Sequence, residues 1–320
     1  MERFLRITLV FVCFSLKLFA QQRPQYTQYM MNQYLLNPAV AGTSEHFELK
    51  AGHRTQWAGA GLGEAAPQTT YISGHSHFGQ HIGPNRGKHK NETTFHHGVG
   101  GIVMNDKTGP TANTSAYLSY AYNFKLGSKI RFSGGASLGV RQFRIDGAKL
   151  VSTDQQVGTQ GAQQFMKPDL NVGYWLYTDH FYFGASAGQL LQNKFQLNDN
   201  GGVSKLHTHY FITSGYKIKL NEGFAAVPSV LLKMTYPTPL SFDVNCKFRY
   251  KDQVWAGVSF RRGDSFAALA GVLLSEKIEI GYAYDYGIST LSNLSKGSHE
   301  VVVGYRIQPK NQLRSPSDFW

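Results

Sequence analysis

Between about residues 46 and 308 the chain is a succession of roughly ten-residue segments in which apolar and polar side chains alternate one by one. Side chains on a β-strand change face at every residue, so each such segment has one oily and one wet face. In Ser241 to Tyr250, Phe242, Val244, Cys246, Phe248 and Tyr250 share a face, with Asp243, Asn245, Lys247 and Arg249 opposite. The same period runs through Lys277 to Tyr286 and Ala116 to Lys125. The pattern predicts strands near 46–57, 68–78, 96–106, 112–125, 129–141, 168–178, 180–190, 207–220, 223–233, 239–250, 253–262, 266–274, 277–287 and 299–308. The expected fold class is all-β: a transmembrane antiparallel β-barrel of about 14 strands with an N-terminal periplasmic or plug segment, an even count being the one that suits closure.

The connectors separate a membrane barrel from a soluble sandwich, because outer-membrane barrels turn tightly at the periplasmic rim and loop widely at the other. Gly127-Ser128, Thr178-Asp179, Asn221-Glu222, Lys251-Asp252 and Ser275-Glu276 are tight, and they alternate in register with the long stretches 142–167, 191–206 and 288–298. With a periplasmic start, every tight turn falls on the periplasmic side. The basic link 79–95 breaks the rule and predicts either a miscounted strand or a periplasmic flap.

No stretch approaches the roughly 18 consecutive apolar residues of a membrane helix, and the mean hydropathy is −0.30. A barrel needs only alternate residues to meet lipid. The 21 phenylalanines and 18 tyrosines suit the aromatic girdles at its two interfaces. Residues 1–20 have a charged start (Arg3, Arg6), an apolar run from Ile7 to Leu16 and Ala20 before Gln21, the pattern of a cleaved signal peptide. Beyond them come an N-terminal segment at 21–45 that is a candidate plug, the barrel at 46–308 and a tail at 309–320. After cleavage Cys246 is the one remaining cysteine, placed on the lipid face as a small apolar residue. The formal charge is +12, and removing the leader leaves +10. The basic residues are spread singly, among them Arg131, Arg141, Lys217, Lys219, Arg249 and Arg261, so the excess points to anionic partners at lumen or rim and not to nucleic acid.

Motifs that could carry chemistry are weak. Gly184 to Gly188 matches a nucleophile elbow, which requires strand, strained turn and helix, whereas the alternation of Phe181, Phe183, Ala185 and Ala187 continues through it. His75-x-His77 and His207-x-His209 place paired imidazoles on a strand face, but nothing in the spacing supplies a third metal ligand. Arg262-Gly263-Asp264 is a loop tripeptide. No enzyme activity, metal or cofactor is expected.

The segment after the leader differs from the rest. Gln28, Tyr29 and Asn32 lead to Asn37, Pro38, Ala41 and Gly42, and are followed by Arg54-x-Gln56-Trp57 and by Pro67-x-Thr69. With Asn105-Asp106-Lys107-x-Gly109-Pro110, Val254-Trp255-x-Gly257 and the closing His299-Glu300, these blocks resemble the PorP/SprF family, in order and over nearly the whole mature chain. The resemblance implies an outer-membrane component of the type IX secretion and gliding motility apparatus of Bacteroidetes. Its partners would be outer-membrane lipid and either secretion-motor and gliding proteins or the C-terminal sorting domain of a secreted adhesin. The family-motif positions are candidate structural or partner-binding residues. The Asn-Pro-Ala stretch is also similar to the hatch of FadL-type transporters, which implies an alternative: a channel for small hydrophobic molecules. Residues 25–43 are too polar for lipid and too apolar to float free, so they either plug the periplasmic mouth or pack as an ordered leader without further role.

Overall fold

The computed structural model describes residues 24–44, 46–82, 93–127, 129–147, 163–196, 203–275, 277–288 and 295–307. The expected leader at 1–20 and tail at 309–320 lie outside the described residues. The first strands are β1 (Phe47–Thr55), β2 (Gln68–Ile82), β3 (Thr93–Thr108), β4 (Thr111–Leu126), β5 (Ile130–Ile145), β6 (Gln163–Tyr177) and β7 (Phe181–Gly188). A small hairpin follows, β8 (Lys194–Gln196) with β9 (Val203–Lys205), and then β10 (His209–Tyr216) and β11 (Ile218–Lys219). The remainder are β12 (Phe224–Thr235), β13 (Thr238–Tyr250), β14 (Val254–Arg261), β15 (Ser265–Leu273), β16 (Ile278–Gly287) and β17 (Ser298–Ile307).

Apart from the β8–β9 hairpin the strands form one antiparallel ring. β1 pairs with both β2 and β17, β7 pairs with β10, and β10 pairs with β12 to close it. β10 and β11 act as one stave interrupted at Lys217, since both pair with β12 in the same register. Closure leaves no free sheet edge in the hydrocarbon layer, the condition that lets strands cross a membrane. Among the described residues no helix is long and apolar enough to cross one.

The ring is inside out relative to a soluble protein. Leu118, Leu138 and Val258 are 77%, 64% and 59% exposed, whereas Asp243, Glu300 and Arg54 are 1%, 1% and 3% exposed. On β13, Val244 and Phe248 face outward, and Asp243, Asn245 and Lys247 point into the lumen. Aromatic rings gather at both interfaces. Near the tight-turn rim His97, Tyr122, Phe124, Phe132 and Tyr174 run in contact at 5.3 to 6.4 Å, and at the other rim Phe260 meets Phe266 at 4.9 Å.

The tight connectors named from the sequence lie at the rim where β1 begins, but the opposite rim has tight turns too, at Gly109-Pro110 between β3 and β4 and at Tyr236-Pro237 between β12 and β13. Lys251 and Asp252 both adopt positive φ (47° and 54°), the central pair of a type I′ turn in which Gln253 N–H donates to the Tyr250 carbonyl at 3.0 Å, and Leu220 N–H donates to the Phe224 carbonyl in the turn before β12. The link at 79–95 does not reflect a miscounted strand. β2 continues to Ile82 and β3 starts at Thr93, so the link shrinks to 83–92, which lies outside the described residues. A register shift between Phe78 and His81, with Gly79 at φ 62°, breaks the two-residue period there and hides the strand's end from the sequence pattern.

Candidate functional site

A ring of this many strands is too wide to be filled by its own side chains, and residues 24–44 occupy it. The segment mixes large apolar groups with amides and breaks at Pro38 and Gly42, so it forms only three 3-10 turns: Tyr29–Met31, Gln33–Leu35 and Pro38–Val40. Asn37 caps the third turn, its Oδ1 accepting from Ala39 N–H at 2.9 Å. Tyr29, Met30, Met31, Tyr34 and Leu35 are buried against Tyr71, Ile102, Leu231 and Trp255 of the wall. Burial pushes the Tyr34 hydroxyl up to about 12, and it remains a neutral donor to Ser119 Oγ.

Because so little of this backbone is regular, its polar groups must be met by the wall. Ser186 Oγ donates to the Leu36 carbonyl (2.6 Å), Ser133 Oγ to that of Ala39 (2.7 Å), and Asn123 Nδ2 to that of Ala41 (3.2 Å). In return Asn37 Nδ2 donates to the Tyr174 carbonyl and Asn32 Nδ2 to Ser73 Oγ. The wall is notched to admit the segment: a Cβ on Gly98 would sit 2.0 Å from the Ala41 carbonyl oxygen, and one on Gly173 2.1 Å from Asn37 Oδ1. The segment goes deeper than the periplasmic mouth. It runs from Tyr26, against Tyr71 and Met104 in the outer half, down to Ser44, whose carbonyl meets His77 near the tight-turn rim.

Its outer end is held by buried charges. Arg54 Nη2 binds Asp285 Oδ2 at 2.6 Å, and Arg54 Nη1 binds Glu300 Oε2 at 3.1 Å. Glu300 also accepts from the backbone N–H groups of Thr27 and Gln28 (2.7 and 3.0 Å). Arg261 joins Asp243 (3.3 Å) to Asp264 (3.0 Å), and Lys233 reaches Asp243 at 2.7 Å. Lower down, Lys50 pairs with Glu48 (2.7 Å) and Arg306 with Glu279 (2.8 Å), while Lys247 lies over the Trp255 ring at 5.8 Å.

The sequence-predicted residues thus separate by role. Gln28, Tyr29, Asn32, Asn37, Pro38, Ala41 and Gly42 all lie in the lumen segment, and Arg54 and Glu300 clamp its outer end. Gln56, Trp57, Pro67 and Thr69 brace the outer loop: Gln56 N–H donates to the Pro67 carbonyl, Trp57 N–H to Ser298 Oγ, and Thr69 Oγ1 to Asp106. His299 faces the other way, on the outer wall, with Tyr282 Oη 2.7 Å from its Nδ1. The ionic partners Asp243, Asp285 and Arg261 escaped notice as site residues because their alternation marks only a wet face, not which charge meets which. β7 runs straight through Gly184 to Gly188, with Ser186 bonded to the lumen segment. Among the described residues no three histidine, cysteine or carboxylate side chains gather as a metal site.

An antiparallel ring with an oily exterior and a charged, occupied lumen defines an outer-membrane β-barrel. The chain belongs to the PorP/SprF family, the type IX secretion system membrane proteins, whose model matches residues 18–305. No curated protein matches it in sequence. Among solved structures it is similar to the Ralstonia pickettii toluene transporter TbuX (11% identity, TM-score 0.51, covering 88% of this chain and 93% of that one). It also resembles the Acinetobacter baumannii outer membrane protein Omp33 (6% identity, TM-score 0.46, covering 82% and 99%) and the Pseudomonas putida toluene transporter TodX (12%, 0.47, covering 86% and 93%). At 11% identity the likeness to TbuX is one of fold alone.

Proposed function

We propose that this barrel serves type IX secretion and gliding motility as a non-enzymatic docking component, holding secretion-motor proteins or the C-terminal sorting domain of a secreted surface protein. The observation that carries this reading is the filled lumen. Beside the 24–44 segment lie cavities of about 50 and 20 Å³, enough for a few waters and not for a solute. A barrel so filled acts through its rims and surfaces. The alternative, a conduit for small hydrophobic molecules, has less support, because the cavities found beside the segment are too small for such a solute. Affinity purification from cross-linked native membranes tests the proposal. Recovery of secretion-motor components or of a secreted adhesin is expected. Rapid uptake of apolar solutes by liposomes carrying the protein, with no secretion component recovered, would overturn it.

A further inference from the structure

At the outer rim, opposite the one where β1 begins, the outward face of β2, β3, β4 and β5 changes character over three successive rows. Pairing sets Ile72, Val103, Ala116 and Val140 side by side in the first row, all apolar. Two residues further toward the rim on each strand, the second row is Thr70, Asn105, Thr114 and Gln142, and the third is Gln68, Lys107, Ala112 and Arg144. Met104, Ser115 and Arg141 are buried on the lumen side, which fixes the residues alternating with them as outward. Asn105 Nδ2 donates to Thr114 Oγ1 at 2.7 Å, and Gln142 Nε2 to Gln164 Oε1 of β6 at 3.0 Å. The second row is therefore a band of amides and hydroxyls on the outside of the wall.

The cations of the third row are accessible and unmatched. Arg144 is exposed and Lys107 half-buried, and among the described residues neither has an ion-pair partner. Asp106 turns into the wall to accept from the Thr69 hydroxyl, and Asp146 lies past the end of β5. Lys107 and Arg144 stand roughly 10 Å apart across β4, with only the small Ala112 between them. On the far side of the same rim the outward face stays aromatic to the strand ends, at Phe260 of β14, Phe266 of β15 and Tyr286 of β16. The layering thus belongs to one sector and not to the membrane boundary as a whole. Rows lie roughly 6.7 Å apart along the strands. Their order of apolar, amide and hydroxyl, then cation is that of a glycolipid read from acyl chain through sugar to phosphate. Arginine meets a phosphate with paired N–H groups, and lysine meets it as a point charge.

We propose that this face of β2 to β5 seats the headgroup of a phosphorylated glycolipid of the outer leaflet. Lys107 and Arg144 hold its phosphates, Asn105, Thr114 and Gln142 meet its sugar hydroxyls and amides, and the apolar row lies against its acyl chains. The site is on the lipid-facing wall, outside the lumen, and does not depend on the docking role proposed above. The test titrates the full-length, delipidated protein in detergent with diphosphoryl lipid A and follows bound molecules by native mass spectrometry. Saturable binding is expected, weakened about tenfold or more in Lys107→Met/Arg144→Met, from the loss of two cations at a lipid headgroup. Dephosphorylated lipid A should bind about tenfold more weakly than the diphosphoryl form, the same contacts being lost from the other side. Neither phosphatidylglycerol at equal concentration nor inorganic phosphate should displace the diphosphoryl form. Arg262→Met removes an exposed cation of the same rim on the β14 side and should change nothing. Heat-modifiable gel migration reports an intact barrel for each variant. Equal affinity for the dephosphorylated form, displacement by phosphatidylglycerol or by phosphate, or unchanged affinity of an intact double variant would each overturn the site. If the double variant does not fold, the ligand comparisons on the wild type decide.

Discussion

The two ends of the lumen treat charge in opposite ways. In the outer half Arg54, Arg261 and Lys233 are matched by Asp243, Asp285 and Glu300, and the matched set grips the amino-terminal segment through Thr27 and Gln28. At the rim where β1 begins Lys50 pairs with Glu48, Arg306 with Glu279 and Arg249 with Asp252, and Lys247 lies over the Trp255 ring at 5.8 Å. Matched charge that also accepts from the segment's backbone holds the segment, whereas charge matched between wall residues holds the wall. The outer end therefore reads as a clamp on the segment, and the inner end as bracing of the wall.

Removing one partner of the clamp gives the sharpest contrast. Arg54→Met leaves Asp285 and Glu300 facing each other, and the cost expected for breaking such a buried set is about 3–5 kcal/mol. Urea unfolding in vesicles should show that loss, accompanied by new protease cleavage within 24–44. A stability within about 1 kcal/mol of wild type would dissolve the distinction between the ends.

A wedge in the wall tests the seating of the segment directly. Gly98→Val drives a side chain into the Ala41 carbonyl and should cost about 1–3 kcal/mol as overpacking. Solute flux through liposomes should rise with it, and an unchanged closed barrel would mean that the segment yields without leaving. Between the two ends, Asn37→Ala removes a cap and a bond to the wall. About 1–2 kcal/mol is expected, measured by the same unfolding curve.

The smallest effect belongs to the mouth. Lys247→Met exchanges a buried lysine that lies over the Trp255 ring for an apolar chain of similar length, so stability should stay within about 1 kcal/mol of wild type or rise. A loss as large as that of Arg54→Met would show that Lys247 is as firmly matched as the outer cations.

Much of the wall was legible from alternation. The positions of Phe242 to Tyr250 on opposite faces follow from strand geometry and need no neighbour. The end of β2 was not, because Gly79 interrupts the period within a strand that its pairing with β3 continues. The amino-terminal segment was ambiguous for a related reason. Its Tyr, Met and amide mixture suits burial against a polar wall, but the wall's notches at Gly98 and Gly173 come from β3 and β6 and are visible only once those strands are brought beside it.

Locally encoded features, namely two-residue periodicity and the order of the family blocks, determined on their own that this chain is a barrel. Tertiary structure alone decided how the charges pair and where the segment at 24–44 lodges. Arg54 meets Glu300 across 246 residues of chain. Such a contact exists because ring closure sets β1 beside β17, and no short window of sequence carries that information.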